Sequence, residues 1–330
     1  MDWFAQAGRD LPWRRTRDPY AILVSEFMLQ QTQVATVLGY YSRWLEHFPD
    51  VAALAAAPIE EVLRAWEGLG YYARARNLHH AARLIVEQHG GIFPRQLAQI
   101  AALPGVGRYT AGAVASFAFD SAVPIVDANI ARVLARITKL EVPIDTATGQ
   151  RALWASAEAL LPGKDARLYN SALMELGATI CQARRPQCLL CPVLRFCAAA
   201  PHGPERLPLK RARPATIALE ENCGWSVSAA GLLLQQEMGA RWRGLWKLPP
   251  LGTSPGDSEL PCFESTYSFT NHRITLRVYP APPPAVPALR QAWHRFDDLD
   301  QLALAAPHRR AVTRLVQFHF QASRPCGPVQ

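Results

Sequence analysis

LPGVGRYTAG, residues 103–112, lies between two stretches of helical period, 95–102 and 109–119. Gly105 and Gly107 permit a tight turn, and a turn at a helix start leaves backbone N–H groups unpaired. Those groups and the dipole of the following helix together favour a bound anion such as a phosphate. A G-x-G turn between helices is more often a plain connection. Here the flanking helical runs and a net charge of +8 favour a phosphate-contacting hairpin.

Outward from this hairpin, residues 1–199 read as helices punctuated by proline and glycine. Toward the N-terminus, 73–89 repeats the helical period and stops at Gly90 and Gly91. Residues 60–66 form a short amphipathic run ending at Gly68 and Gly70. A long segment, EFMLQQTQVATVLGYYSRWLEHF, follows Ser25 and stops at Pro49. Toward the C-terminus, further runs cover 128–140, 149–161 and 166–181. The texture then changes: residues 200–216 are proline-rich, basic and aperiodic, as in a linker. ALEENCGWSVSAAGLLLQQ, STYSFTNHRITLRVYP and QAWHRFDDL read as short strands and turns, and HRRAVTRLVQFHF as a helix. The expected fold is multidomain. An all-α helix–hairpin–helix domain covers 1–199, with the hairpin motif at about 97–119. A smaller α+β domain covers 217–322, and a disordered tail 323–330.

The 330 residues suffice for about two domains, and 49% are apolar, ample for buried cores. A pI near 9.3 favours a polyanionic partner, nucleic acid or an anionic surface. No stretch of roughly twenty apolar residues could span a membrane. MDWFAQAGRDLPWRR has no apolar signal-peptide core, so the expected location is the cytosol or nucleoid. Four of the seven cysteines fall in CQARRPQCLLCPVLRFC. Cys181, Cys188, Cys191 and Cys197 have six, two and five residues between them. Clustered cysteines without a secretory context are metal ligands more often than disulfides. Four thiolates suit a structural zinc or an iron–sulfur cluster, and the spacing leaves both open.

IVDAN sets Asp127 before a helical run, with Asn129 two residues on. An Asp there is ordinarily an N-cap worth ~1 kcal/mol. Glu26 lies in an apolar, amide-rich helix, SEFMLQQTQV. It is either a solvent-facing glutamate one position after an N-capping Ser25, or a carboxyl on an apolar face. In the second case a raised pKa would suit it to general acid catalysis. LQQTQV offers uncharged donors and acceptors suited to base edges. GLGYYARARNL puts adjacent tyrosines beside Arg74 and Arg76. That is either a stacking surface with cations for phosphates, or a core tyrosine pair with a solvated arginine face.

SEFMLQQTQVATV, GLGYYARARNL, LPGVGRYTAGAV, VDAN and the cysteine cluster occur in one order. Together they resemble the MutY-type adenine DNA glycosylases of the helix–hairpin–helix superfamily, over about 11–197. GLWKLP (244–249), SFTNHRITL and WHRFDDL resemble that family's Nudix-like C-terminal domain more weakly. The resemblance implies a base-flipping enzyme of base excision repair. Its partner would be double-stranded DNA with A opposite 8-oxoguanine or A opposite G, from which it hydrolyses the mispaired adenine. It implies that Glu26 protonates the adenine ring and that Asp127 stabilises the positive charge developing on the sugar. Asn129 would support the aspartate. Tyr109 stands where the bifunctional endonuclease III relatives carry a lysine. A phenol cannot form the Schiff base that leads to strand cleavage, so monofunctional excision is expected.

By the same resemblance Trp13 and Arg14 wall the adenine pocket and Ser171 lies near the flipped base. Gln31 and Tyr71 wedge into the duplex, with Thr32 and Leu69 beside them. Gly105 and Gly107 serve the hairpin, and Thr270 reads 8-oxoguanine. The four cysteines would hold a structural [4Fe–4S] cluster supporting a DNA-contacting loop of Arg184, Arg185 and Pro186. A monomer in the bacterial cytoplasm, at the nucleoid and away from membranes, is implied. Ser171 replaces the family's Gln or Glu, which removes a contact or leaves room for water. Ala128 replaces a glycine between the Asp and the Asn, a strain if that glycine needs a positive φ. Asn271 replaces the histidine of an F-[ST]-H loop, with His272 one residue on. The chain begins close to its LPW motif, which reads as a shortened first helix. Two other functions compete. Tyr109 and the second domain argue against a bifunctional endonuclease III-like glycosylase for oxidised pyrimidines. The presence of both Glu26 and Asp127 argues against a non-catalytic DNA-binding iron–sulfur protein. A Nudix hydrolase would need a glutamate-rich metal-binding helix, and none follows Cys197.

Overall fold

The computed structural model describes residues 1–212, 214–239, 241–252, 255–256 and 259–322. The tail read at 323–330, with Cys326, lies outside the described residues. The helices are α1 (Asp2–Ala7), α2 (Pro12–Arg15), α3 (Pro19–Leu29), α4 (Val34–His47), α5 (Val51–Ala56), α6 (Ile59–Ala65), α7 (Ala73–His89), α8 (Leu97–Ala101), α9 (Arg108–Phe119), α10 (Ala128–Ile137), α11 (Ala147–Leu160), α12 (Ala166–Glu175) and α13 (Ala306–Ala322). The strands are β1 (Ile217–Trp225), β2 (Val227–Ser228), β3 (Gly231–Gln236), β4 (Trp246–Lys247), β5 (Phe263–Phe269), β6 (His272–Pro280) and β7 (Gln291–His294). They form two units. Met1–Ala56 joins Asn77–Arg213 in a helical unit, and Ala57–Arg76 joins Pro214–Gln330 in a mixed one.

In the helical unit α3 is apolar on all sides and buried from Tyr20 to Met28, so it is a central helix rather than a surface one. Asp18 starts it. The Asp18 carboxylate accepts from Tyr20 N at 3.0 Å and Pro19 supplies a preset φ at the first position. The apolar run after Ser25 predicts a start there. Ser25 instead sits inside the helix, its hydroxyl bonded to Ile22 O at 2.7 Å, because Asp18–Pro19 is the stronger signal. The chain then breaks at Gln30–Gln33 before α4, so the long segment after Ser25 is two helices.

Helix α9 packs on α3 and is buried along most of its length. Gly112 lets the segment 123–125 lie close against α9, since a Cβ there would lie 3.0 Å from Pro124 O. Helix α12 continues past Glu175 as one π-helical turn, Leu176–Ile180, closed by Cys181 N to Leu176 O at 2.7 Å. The stretch after Cys197, read as a linker, is held on the helical unit through its first dozen residues. Ile144 N donates to Leu209 O at 2.9 Å, and Arg211 N donates to the Asp145 carboxylate at 3.0 Å.

In the mixed unit β6 pairs in parallel with β1 and antiparallel with β5. A second sheet centres on β3, flanked by β2, β4 and β7. Helix α13 closes the core with Ala311, Val312 and Leu315 against Leu232, Leu234, Leu276 and Val278. The 57–76 segment belongs here by specific bonds. The Arg309 guanidinium grips the Glu67 carboxylate at 2.6 and 3.1 Å, and Arg76 Nη1 donates to Arg243 O at 2.9 Å. No described helix is long and apolar enough to cross a membrane.

Candidate active site and cysteine loop

Glu26, Tyr109, Asp127 and Asn129 come from three helices and border one cavity of about 560 Å³ in the helical unit. Trp13, Arg14, Ser171, Gln31 and Thr32 border the same cavity. Glu26 lies near the C-terminal end of buried α3 and is 4% exposed. Burial pushes its carboxyl up, the Tyr109 hydroxyl lowers it by donating a hydrogen bond, and Asp127 raises it again, to about 7. Tyr109, the second residue of α9, is held well above its ordinary value by burial and then by the two acids.

Asp127 is the N-cap of α10. Its Oδ1 accepts from Ile130 N at 2.7 Å and its Oδ2 from Asn129 Nδ2 at 3.1 Å. Burial raises its pKa, against those hydrogen bonds and the nearby Arg132. The cap and the catalytic reading of Asp127 are therefore compatible: one hydrogen bond to each oxygen fixes the carboxylate at the cavity wall. Ala128 is the first residue of α10 and has no positive φ, so the glycine-to-alanine departure carries no strain.

Several residues that organise this site were not read from the sequence. Arg132 Nη2 donates to Asn129 Oδ1 at 2.9 Å and Gly177 O at 2.6 Å, and its Nε donates to Cys181 O at 2.7 Å. Gly177, on the π turn, touches Asn129: a Cβ there would lie 2.7 Å from Asn129 Cβ. Glu175 accepts from Arg9 and Arg14, and Arg167 donates to backbone carbonyls. An arginine that bonds distant carbonyls leaves no local pattern in a sequence; only the glycine in MELGATI offered a hint.

The hairpin separates the roles of its glycines. Gly105 has φ +75°, and a Cβ would meet Asn77 Cβ at 2.7 Å, so the fold requires it. Gly107 is extended and a Cβ would touch nothing within 4 Å. Its small size leaves the N-terminus of α9 open to an outside group.

Leu69 and Tyr71 lie in the segment of the mixed unit. There Leu69 is buried and Tyr71 is 44% exposed. GLGYYARARNL divides between its two readings. Tyr72 is core, and Arg74 is buried with Nη2 donating to Leu69 O at 2.9 Å and Gly70 O at 3.1 Å. Tyr71 faces out. Thr270 sits at the exposed two-residue turn between β5 and β6. Gln31, Tyr71 and Thr270 share a backbone feature: φ of 58°, 47° and 53°. Asp120, Lys139, Asp165 and Arg290 adopt that region too, so the conformation marks turns and helix ends and does not by itself mark a site. Asn271 Nδ2 donates to Ala215 O at 3.3 Å, while His272 Nδ1 lies 3.3 Å from Thr270 Oγ1.

The four cysteines converge. Arg136, buried in α10, donates to Cys181 Sγ at 3.2 Å, Gln182 O at 2.8 Å and Ala183 O at 2.9 Å, and its own carbonyl accepts from Cys197 Sγ at 3.5 Å. Burial and then the neighbouring sulfurs push the Cys188 and Cys191 thiols up. A single tetrahedral zinc, with Zn–S of about 2.3 Å, would draw its sulfurs to within about 4 Å of one another. Among the described residues Glu221, Cys223 and His308 are the group of three ligand atoms all within 4.8 Å of one another; the four cysteines form no such group. Four free thiols on one loop, with the charges of Cys181 and Cys197 felt at both Cys188 and Cys191, are a donor set that suits a thiophilic metal centre. Arg184 and Arg185 are exposed on this loop.

The chain is similar to known DNA repair proteins. The family described as HhH-GPD superfamily base excision DNA repair protein matches residues 24–155. The human adenine DNA glycosylase is 47% identical over 208 residues, covering 60% of this chain and 38% of the relative. The adenine DNA glycosylase of Mycolicibacterium smegmatis is 46% identical over 194 residues, covering 58% and 66%. The chain thus spans less than two thirds of either relative's length. Among solved structures, a thermostable thymine-DNA glycosylase is similar at 34% identity and TM-score 0.56, over 61% of this chain and 92% of that one. A non-covalent endonuclease III–DNA complex is similar at 26% identity and TM-score 0.52, over 61% and 91%. With a glycosylase matched over nearly its whole length and the family matched across the helices that carry Glu26, Tyr109 and Asp127, the chain belongs to the HhH-GPD superfamily of base excision DNA repair proteins, on its MutY-type branch.

Proposed function

We propose that this protein is a monofunctional adenine DNA glycosylase acting on adenine opposite 8-oxoguanine or guanine in double-stranded DNA. The observation that carries the reading is the pairing of Glu26 and Asp127 in one cavity with the Tyr109 hydroxyl bonded to Glu26. With a pKa of about 7, Glu26 keeps a large share of its proton at neutral pH. It delivers that proton to a ring nitrogen of the flipped adenine. The N-glycosidic bond then breaks, with its electron pair leaving on adenine. Asp127, fixed by Asn129 and Ile130, faces the positive charge left on the sugar. Water adds to the anomeric carbon and returns a proton to Glu26. The cavity lining includes no lysine, and Tyr109 cannot form a Schiff base, so strand cleavage is not catalysed.

Cys181, Cys188, Cys191 and Cys197 would hold a [4Fe–4S] cluster, which when bound supplies a structural cross-link of the loop. Arg136 holds that loop from within. The exposed Arg184 and Arg185, the hairpin around Gly105 and Gly107, and the left-handed residues Gln31 and Tyr71 would contact DNA. The mixed unit acts as a Nudix-like reader of the base opposite adenine, through Thr270. The protein would act as a monomer at the bacterial nucleoid.

Single-turnover excision on duplexes with A opposite 8-oxoguanine, G and T, read with and without alkali, tests this. Adenine loss opposite 8-oxoguanine with breaks only after alkali is the expected result. Breaks without alkali, or no adenine release from iron-loaded protein, would overturn it.

A further inference from the structure

One helix grips the cavity's opposite wall at two points of opposite polarity. Arg167, Ser171 and Met174 of α12 border the cavity, as does Ala178 just beyond it. Arg167 Nη2 donates to Arg14 O at 2.6 Å and Thr16 O at 2.8 Å, and Nη1 donates to Phe117 O near the end of α9. Its backbone N–H donates to Asp120 Oδ1 at 2.9 Å. Eight residues on, the fully buried Glu175 carboxylate accepts from Arg9 Nε at 2.7 Å, Arg9 Nη2 at 3.0 Å and Arg14 Nη2 at 2.8 Å.

What these groups hold is a short corner. Helix α2 is four residues long, has no side-chain cap, and leaves its C-terminal carbonyls without helical partners. Arg167 supplies donors to two of those carbonyls and to one of α9, where a cation also suits the helix dipoles. The corner carries Trp13, buried at the cavity wall and packed edge-on to Tyr41 at 5.3 Å. Between the two grips lies Ser171, one turn from each, whose short side chain cannot brace a wall.

We propose that Arg167 and Glu175 are positioning residues. They lock the corner of residues 9–16 onto α12 and so set the width of the slot between Trp13 and Ser171 that receives the base. This rests on the reading of the cavity as a base pocket. It predicts that loosening the latch harms base capture more than bond breaking.

The test uses iron-loaded full-length protein and two variants, Arg167→Met and Arg167→Lys. In the free protein, amide hydrogen exchange over residues 11–16 should rise about tenfold in Arg167→Met, while residues 20–28 stay protected. Affinity for a duplex carrying 2′-fluoro-2′-deoxyadenosine, whose sugar resists cleavage, should fall about tenfold, with excision at saturating enzyme falling less than about threefold. Affinity for an abasic duplex, which has no base to seat, should be unchanged. Arg167→Lys, keeping the charge but not the fork, should restore part of both losses. Unchanged exchange over 11–16, or equal weakening on base-containing and abasic duplexes, would overturn the proposal. Raised exchange over 11–16 in a protein whose wild type excises no adenine would leave the latch standing and remove adenine as its substrate.

Discussion

Glu26 in the helical unit and Glu221 in the mixed unit each share a hydrogen bond with a tyrosine hydroxyl, Tyr109 and Tyr267, and differ in what else surrounds them. Burial pushes both carboxyls up. For Glu26 the nearby charge is another acid, Asp127, and the pKa settles at about 7. For Glu221, His308 Nε2 at 3.4 Å, Tyr267 at 2.6 Å and Lys247 at 4.0 Å outweigh burial and hold it at about 2. A buried carboxyl whose charged neighbour is another acid is poised to give up a proton; one ringed by donors is a structural anion. The Glu221 cluster also brings Cys223 within ligand range. His308 Nδ1, however, accepts from Leu248 N at 3.3 Å. The ring proton is therefore on Nε2, toward Glu221, and leaves no lone pair for an ion.

Replacing each glutamate by glutamine in turn tests whether its surroundings set its role. Glu26→Gln keeps the shape and removes the proton, and single-turnover excision should fall at least about 10³-fold. The wild-type rate should decline as pH rises through about 7, where Glu26 loses its proton. The folded state holds that proton up to about 7 and the unfolded chain only up to 4.5. Stability from this group is therefore present below 4.5 and lost as pH rises through about 7. Urea midpoints at pH 5 and pH 8 should show that slope in the wild type and not in the variant.

Glu221→Gln should do the reverse. Its folded pKa lies below 4.5, so its stability is present above 4.5 and lost as pH falls toward about 2. At pH 7 the substitution should cost about 3 kcal/mol in the urea unfolding of the mixed unit, with excision chemistry retained. A variant that folds normally but loses excision would erase the distinction between the two glutamates.

Smaller effects sharpen the picture on each side. Gly177→Ala would drive a methyl into Asn129, 2.7 Å away, and displace the support of Asp127. Excision should drop about ten- to a hundredfold with iron content unchanged; unaltered kinetics would show that Asn129 has slack. Thr270→Ala, at an exposed turn, should lower the preference for 8-oxoguanine over guanine by a few-fold, on the scale of about one hydrogen bond, without moving the rate opposite 8-oxoguanine by more than that. An unchanged ratio would take the reading of the opposite base away from this turn.

Most helices were legible because their apolar periods and glycine or proline stops are local. Residues 73–89 read as a helix and form α7, and 109–119 differs from α9 by one residue. Where the fold departs from these local signals, the cause is near in one case and distant in another. Ser25 looked like a cap because an apolar run follows it, yet the start belongs to Asp18–Pro19. The run 166–181 ends as a π turn because Cys181 and Gly177 are tied to Arg132, a partner nearly fifty residues away. The halves of GLGYYARARNL could not be told apart in sequence, since core and surface tyrosines look alike.

Local signals in the chain carry most element types, the change of texture near residue 200, the family resemblance and the candidates Glu26 and Asp127, but not the placement of 57–76 in the mixed unit. These follow from short-range chemistry: hydrophobic period, capping residues, glycine turns and cysteine spacing. Folding alone sets the burial of Glu26 beside Tyr109 and Asp127, the opposite shift of Glu221, and the bonds that Arg167 and Glu175 make to residues 9–16. A pKa is set by burial and by charges a few ångströms away in space, and those neighbours come from segments that folding alone brings together.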